Sequence, residues 1–81
     1  MKRKERIASY HAIFEPAEEG GFTVSFPSFP GCVTFGRTFE EAEMHAREVL
    51  ELWLEEMTAQ RLPIPSHRHT IINEIEARIP A

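Results

Sequence analysis

At 81 residues with a formal charge of −4, the chain is one small domain, of a size that buries only roughly 60% of the surface its unfolded form exposes, so association with itself or a partner would add margin. A single cysteine, Cys32, excludes an internal disulfide, and no apolar run approaches the roughly 18 residues of a membrane span. The charge is uneven: Lys2, Arg3, Lys4 and Arg6 face only Glu5 at the start, so the remainder is more acidic than the total, a balance that repels nucleic acid and favours a basic partner.

The stretch Ile7–Pro16 reads as a first strand. Ile7 and Ile13 fall on one side and Tyr10 and Phe14 on the other, so both faces are expected to be at least partly covered. Residues 17–21, AEEGG, are a turn in which Gly20 and Gly21 can supply positive φ. FTVSF, residues 22–26, is a cleaner alternating strand, with Phe22, Val24 and Phe26 inward and Thr23 and Ser25 outward. Pro27 ends it because proline gives no N–H to a ladder. Pro30-Gly31 marks a second corner, CVTF at 32–35 a short third strand, and Gly36 its close.

A helix follows. Thr38 three residues before Glu41 is a capping-box signature, and Glu40, Glu41 and Glu43 lie where the helix dipole favours anions. Phe39, Ala42, Ala46, Val49, Leu50, Trp53 and Met57 keep the spacing of one helical face, over about Phe39 to Gln60, before LPIP stops it. A last strand is expected over Thr70–Ile79, with Ile71, Ile75 and Ile79 alternating against Glu74, Glu76 and Arg78. The predicted class is α+β in the order β-β-β-α-β. The strands on either side of the helix should be parallel, joined by a right-handed crossover. One helix covers one face of such a sheet, so a second copy or another protein is expected on the other. No second domain is visible, and the domain is taken as 1–81.

Candidate chemistry is sparse. His67 and His69 form H-x-H in a loop, with His11 and His45 elsewhere, and this lacks the converging ligands of a metal site. Cys32 reads as a buried structural thiol because no oxyanion loop accompanies it. Glu15, Glu18 and Glu19 gather at the first hairpin, where carboxylates can bind Mg²⁺. A nuclease of the ribonuclease H type would need them in mid-strand, where Ser9, Tyr10 and His11 stand instead. The helix carries seven Glu between Glu40 and Glu56 against Arg47, either a solvated face or a landing surface for a basic protein. The basic start has no apolar stretch behind it, so it is no secretory signal, and the cytoplasm is the expected compartment.

The run GGFTVSFPSFPGCVTFGRTFEEAEMHAREVLELWLEEM resembles the HicB-like antitoxin family. The matching positions are Gly20, Gly21, Phe22, Phe26, Pro27, Phe29, Pro30, Gly31, Cys32, Thr34, Gly36, Thr38, Glu41 and Ala42. Pro63, Pro65 and Ser66 fit the motif after the helix, and the resemblance covers nearly everything from Tyr10 onward. It implies a partial ribonuclease H-like sheet with one long helix on one face, no catalytic carboxylates and no cofactor. It also implies an antitoxin that binds a small basic mRNA-cleaving toxin of the HicA type and covers its active site. Ser28 departs from the family's usual Asp, and Arg37 from its usual acidic residue. Many relatives add a C-terminal DNA-binding segment, whereas this sequence stops after the last expected strand, so DNA binding is not expected of it, nor is membrane binding. The expected product is a homodimer or higher oligomer whose partner-binding residues are Glu15, Glu18, Glu19, Ser28 and Phe29, with Phe29 read first as core and second as an exposed anchor, since an exposed aromatic needs a partner to explain it. Two other readings stand beside it: an orphan domain of the same fold that binds or scaffolds without a toxin, and a metal-dependent nuclease.

Overall fold

The computed structural model describes residues 7–66 and 71–81. β1 (Ile13–Pro16), β2 (Phe22–Ser25) and β3 (Val33–Gly36) form an antiparallel meander in the order β1-β2-β3, followed by α1 (Phe39–Ala59). The α+β class and the three-strands-then-helix order are those the sequence predicts.

β1 is shorter than its alternation. Its ladder with β2 runs from Ile13↔Ser25 to Pro16↔Phe22, and residues 7–12 have no regular structure. Pro27 accounts for this. β2 ends at Ser25 just before it, so the residues preceding Ile13 have no strand opposite them. β3 pairs with β2 from Phe22↔Gly36 to Ser25↔Val33, one residue later in the chain than expected. The register sorts the side chains by face. Phe14, Val24 and Thr34 form one row towards the helix, while Ile13, Ser25 and Val33 form a row on the other face.

The helix begins where its cap chemistry places it. The Thr38 hydroxyl accepts from the Glu41 backbone N–H at 3.0 Å, and the Glu41 carboxylate accepts from the Arg37 backbone N–H at 2.6 Å. The side chain therefore reaches one residue further back than in the usual capping box. Ala42 packs against Gly36 so closely that a Cβ on the glycine would lie 2.2 Å from the Ala42 backbone nitrogen. This contact docks the start of α1 onto the end of β3. At the other end Arg61 N–H donates to the Thr58 carbonyl and Leu62 N–H to that of Met57. Those two bonds define a Schellman cap.

The core is Val24, Phe26, Phe29, Cys32, Ala42 and Ala46, with Tyr10, Phe14, Phe22, Leu50, Trp53 and Leu54 packed around it. The predicted inward set of β2 is there, and so is that of α1 except Phe39, which is 44% exposed at the helix start; Leu54 joins them. Burying each large apolar side chain contributes about 1.5–3 kcal/mol.

The predicted fourth strand is not formed within this chain. Residues 71–81 have no regular structure and are exposed throughout; Thr70, its expected first residue, lies outside the described residues. A strand gets its hydrogen bonds from a neighbour, and alternation alone supplies none.

Candidate partner-binding surface

The corner between β2 and β3 is two turns in series. Phe29 N–H donates to the Phe26 carbonyl and Cys32 N–H to the Phe29 carbonyl, each at 3.0 Å. The second turn has Pro30 and then Gly31 at φ +92, the pattern of a type II turn, whose third residue must take positive φ. Between the turns Phe29 is 3% exposed, its ring set edge-on to Tyr10 at a centroid distance of 4.9 Å. Phe29 therefore supports the corner from inside and does not itself present a contact surface. Ser28 is half-buried beside it.

Glu15 projects from β1, and Glu18 and Glu19 are the central residues of the turn closed by Gly20 N–H on the Ala17 carbonyl at 3.0 Å. All three are exposed. The register puts this hairpin beside Gly36 and the start of α1, because Pro16, Phe22 and Gly36 share one row. The hairpin carboxylates thus share an end of the sheet with Glu40 and Glu41. Ser28 and Phe29 are at the opposite end of β2. The five predicted contact residues do not form one patch.

Two further surfaces flank that acidic end. The outward side of α1 exposes Glu40, Glu43, Glu48, Glu51, Glu55 and Glu56. The sheet face turned away from the helix exposes Ile13, Val33 and Phe35. An uncovered face is what the sequence predicts, but its pattern alone does not single out Val33 and Phe35. Their signal is the parity of CVTF once Thr34 is set inward. His45 serves the fold: its Nδ1–H donates to the Phe35 carbonyl at 2.7 Å, tying α1 to β3.

Among the described residues, no group of three or more His, Cys or Glu side chains is placed to hold a metal ion. His67 and His69 lie outside those residues. Cys32 is fully buried, and burial pushes its thiol pKa up, away from the thiolate a nucleophile requires. No described helix is long and apolar enough to cross a membrane.

The described surface thus combines a three-stranded sheet and one helix with an acidic end and an apolar open face. The model of the HicB-like antitoxins of bacterial toxin–antitoxin systems matches residues 10–79, and the chain belongs to that family. It is 34% identical to a UPF0150 protein of Synechocystis over 61 residues, 75% of this chain and 77% of that one. A UPF0150 protein of Helicobacter pylori is 34% identical over 66 residues, 82% of this chain and 90% of the relative. Antitoxin HicB 1 of Photorhabdus laumondii is 40% identical over 60 residues, 69% of this chain but 37% of that longer protein.

Proposed function

We propose that this protein is an antitoxin that neutralises a small, basic, mRNA-cleaving toxin of the HicA type by covering its active site, without catalysing a reaction itself. The observation that carries the reading is the gathering of carboxylates at one end of the fold, Glu15, Glu18 and Glu19 on the hairpin beside Glu40 and Glu41 of α1. An enzyme that grips RNA presents cationic groups to phosphate. A carboxylate-rich surface competes for those groups and steers the encounter. Family membership supports the same reading. The rigid double turn at 26–32 holds β2 and β3 in register and so contributes to the surface indirectly.

The test begins with an affinity pull-down of the tagged protein from its own cells, read by mass spectrometry. The expected result is a stoichiometric small basic protein that cleaves RNA alone and is silenced by this chain. Charge reversal at Glu18 and Glu19 together should weaken that inhibition about 10-fold or more at low salt and much less at high salt. Recovery of the bait alone would overturn the reading in favour of an orphan binding module, and metal-dependent RNA cleavage by the bait would establish a nuclease instead.

A further inference from the structure

The helix carries an apolar residue that its core-facing stripe does not explain. Ala42, Ala46, Leu50, Trp53 and Met57 pack in or against the core, whereas Leu52 is 64% exposed. A lone exposed leucine calls for no explanation. Leu52 is not alone: with Val49, Trp53 and Glu56 it lines a hollow of about 250 Å³. The spacing of these four residues puts them on one flank of α1. His45, one turn before Val49 on the same flank, is bonded to the Phe35 carbonyl, and a Cβ on Gly31 would lie 3.7 Å from the Trp53 ring. The rigid corner at 26–32 thus backs Trp53, so little ordering is needed when an occupant arrives.

The hollow is smaller than the roughly 300–1,000 Å³ of a pocket for a cofactor-sized ligand, and has room for a side chain or two. Its wall is apolar apart from Glu56. Its rim is anionic. On the helix surface Leu52 is bordered by Glu48, Val49, Glu55 and Glu56, the three glutamates are exposed, and no basic residue stands between Arg47 and Arg61. Glu56 is bonded by the neutral side-chain amide of Gln60, a contact that leaves its charge unopposed. An apolar centre within a charged rim is the make-up of a binding hot spot. This rim selects against a second copy, which would bring its own glutamate-rich helix and net negative charge.

We infer that this flank of α1 is the anchor site for a basic protein. The hollow takes one leucine- or methionine-sized side chain, and Lys or Arg residues around that side chain meet Glu48, Glu55 and Glu56. Only the partner's identity as the toxin rests on the function proposed above. The hairpin carboxylates then steer the encounter, while Leu52 and Trp53 hold the complex once formed.

The test uses the full-length chain and needs no toxin. Trp53 is its single tryptophan, so tryptophan emission reports on the hollow. The probe is a short synthetic amphipathic peptide of leucine and lysine. It should shift Trp53 emission saturably, and bind at least about 10-fold more tightly than peptides with glutamate for lysine or serine for leucine. Leu52→Glu decides between anchor and charge. It adds a negative charge, so attraction by charge alone would tighten binding, whereas loss of the anchor should weaken it at least about 10-fold. The wild-type titrations do not depend on that variant folding. No shift with the leucine–lysine peptide, equal binding of either control peptide, or equal or tighter binding by Leu52→Glu would each overturn the anchor site. A shift that grows with protein concentration in the absence of peptide would put a second copy there and overturn it too. The toxin and the anchor fail separately. Bait recovered alone from cells removes the toxin and leaves the peptide result intact. A toxin whose inhibition survives Leu52→Glu but not charge reversal at Glu18 and Glu19 removes the anchor and leaves the toxin.

Discussion

The corner at 26–32 and the arm at 71–81 carry comparably strong sequence signals, yet only the corner closes on itself. Its hydrogen bonds run from a residue to one three places back, its prolines restrict φ, and Gly31 takes the one backbone region the second turn demands. Everything it needs is within seven residues. The arm's signal is alternation, which specifies a face and a preference for extension but names no neighbour. Local chemistry can be completed by local sequence. A strand's edge is completed by whatever strand reaches it.

The sharpest way to break that contrast is to truncate one side chain in each region. Phe29→Ala empties a core site under the corner and should cost about 3–5 kcal/mol. Denaturant unfolding followed by circular dichroism measures it, with no dependence on protein concentration. Ile75→Ala in the arm should change the stability of the dilute chain by no more than about 0.5 kcal/mol, as for an exposed residue. Its effect should grow with protein concentration wherever a second copy supplies the missing neighbour. Equal, concentration-independent losses from both variants would show that the arm belongs to its own chain's core.

Gly31→Ala addresses the corner's backbone alone. A Cβ there has room, its nearest neighbour being the Trp53 ring at 3.7 Å, but φ is +92. The expected loss is about 1–2 kcal/mol, from conformation and not from packing. A loss near zero would mean that the second turn can change type while keeping the corner in place.

Cys32, the last residue of that corner, adds a dependence on pH. Burial raises its folded pKa above the ordinary value near 9. The unfolded chain then ionises first as pH rises, so the stability attached to the neutral thiol is complete below about pH 9 and is lost as pH climbs from there towards the folded pKa, at a limiting slope of about 1.4 kcal/mol per pH unit. The Cys32→Ala variant removes this contribution. The stability difference between wild type and variant should therefore shrink above pH 9 and stay constant below it, as read by urea unfolding across pH 7–10.5.

These regions also mark how far the sequence could be read. The meander, the Thr38 cap, the inward row of β2, that of α1 apart from the exposed Phe39, and the burial of Cys32 were legible because each follows from spacing or from one residue's own chemistry. The length of β1 was not, since Pro27 acts on it only through the ladder with β2. The division of the predicted contact residues between two ends of the sheet was also hidden. Glu18 and Ser28 are ten positions apart in a chain that runs along β2 between them, so closeness in sequence placed them at opposite ends in space. Val33 and Phe35 became surface candidates only once register fixed which side of the sheet faces the helix.

The smallest expected effect tests the principle at the exit of α1, where local chemistry is complete but not optimal. The Schellman cap is fully bonded, yet the residue that must be left-handed is Arg61, at φ +58, where glycine is the usual occupant because it has no Cβ to strain. Arg61→Gly keeps both cap bonds and removes the strain. It also relinquishes a cation close to the negative end of the helix dipole, in a helix whose last turn has no basic residue of its own, worth about 0.3–1 kcal/mol when exposed. The strain of a non-glycine residue there is about 1–2 kcal/mol, so relief exceeds loss and the net gain should be about 0.5–1 kcal/mol. Arg61→Asn separates the two contributions. It gives up the same charge but retains a side chain, one that tolerates the left-handed region better than arginine does, and so should fall between wild type and glycine in thermal unfolding. A glycine variant less stable than wild type would show that the charge at the helix end, and not the backbone, decides what residue stands at 61.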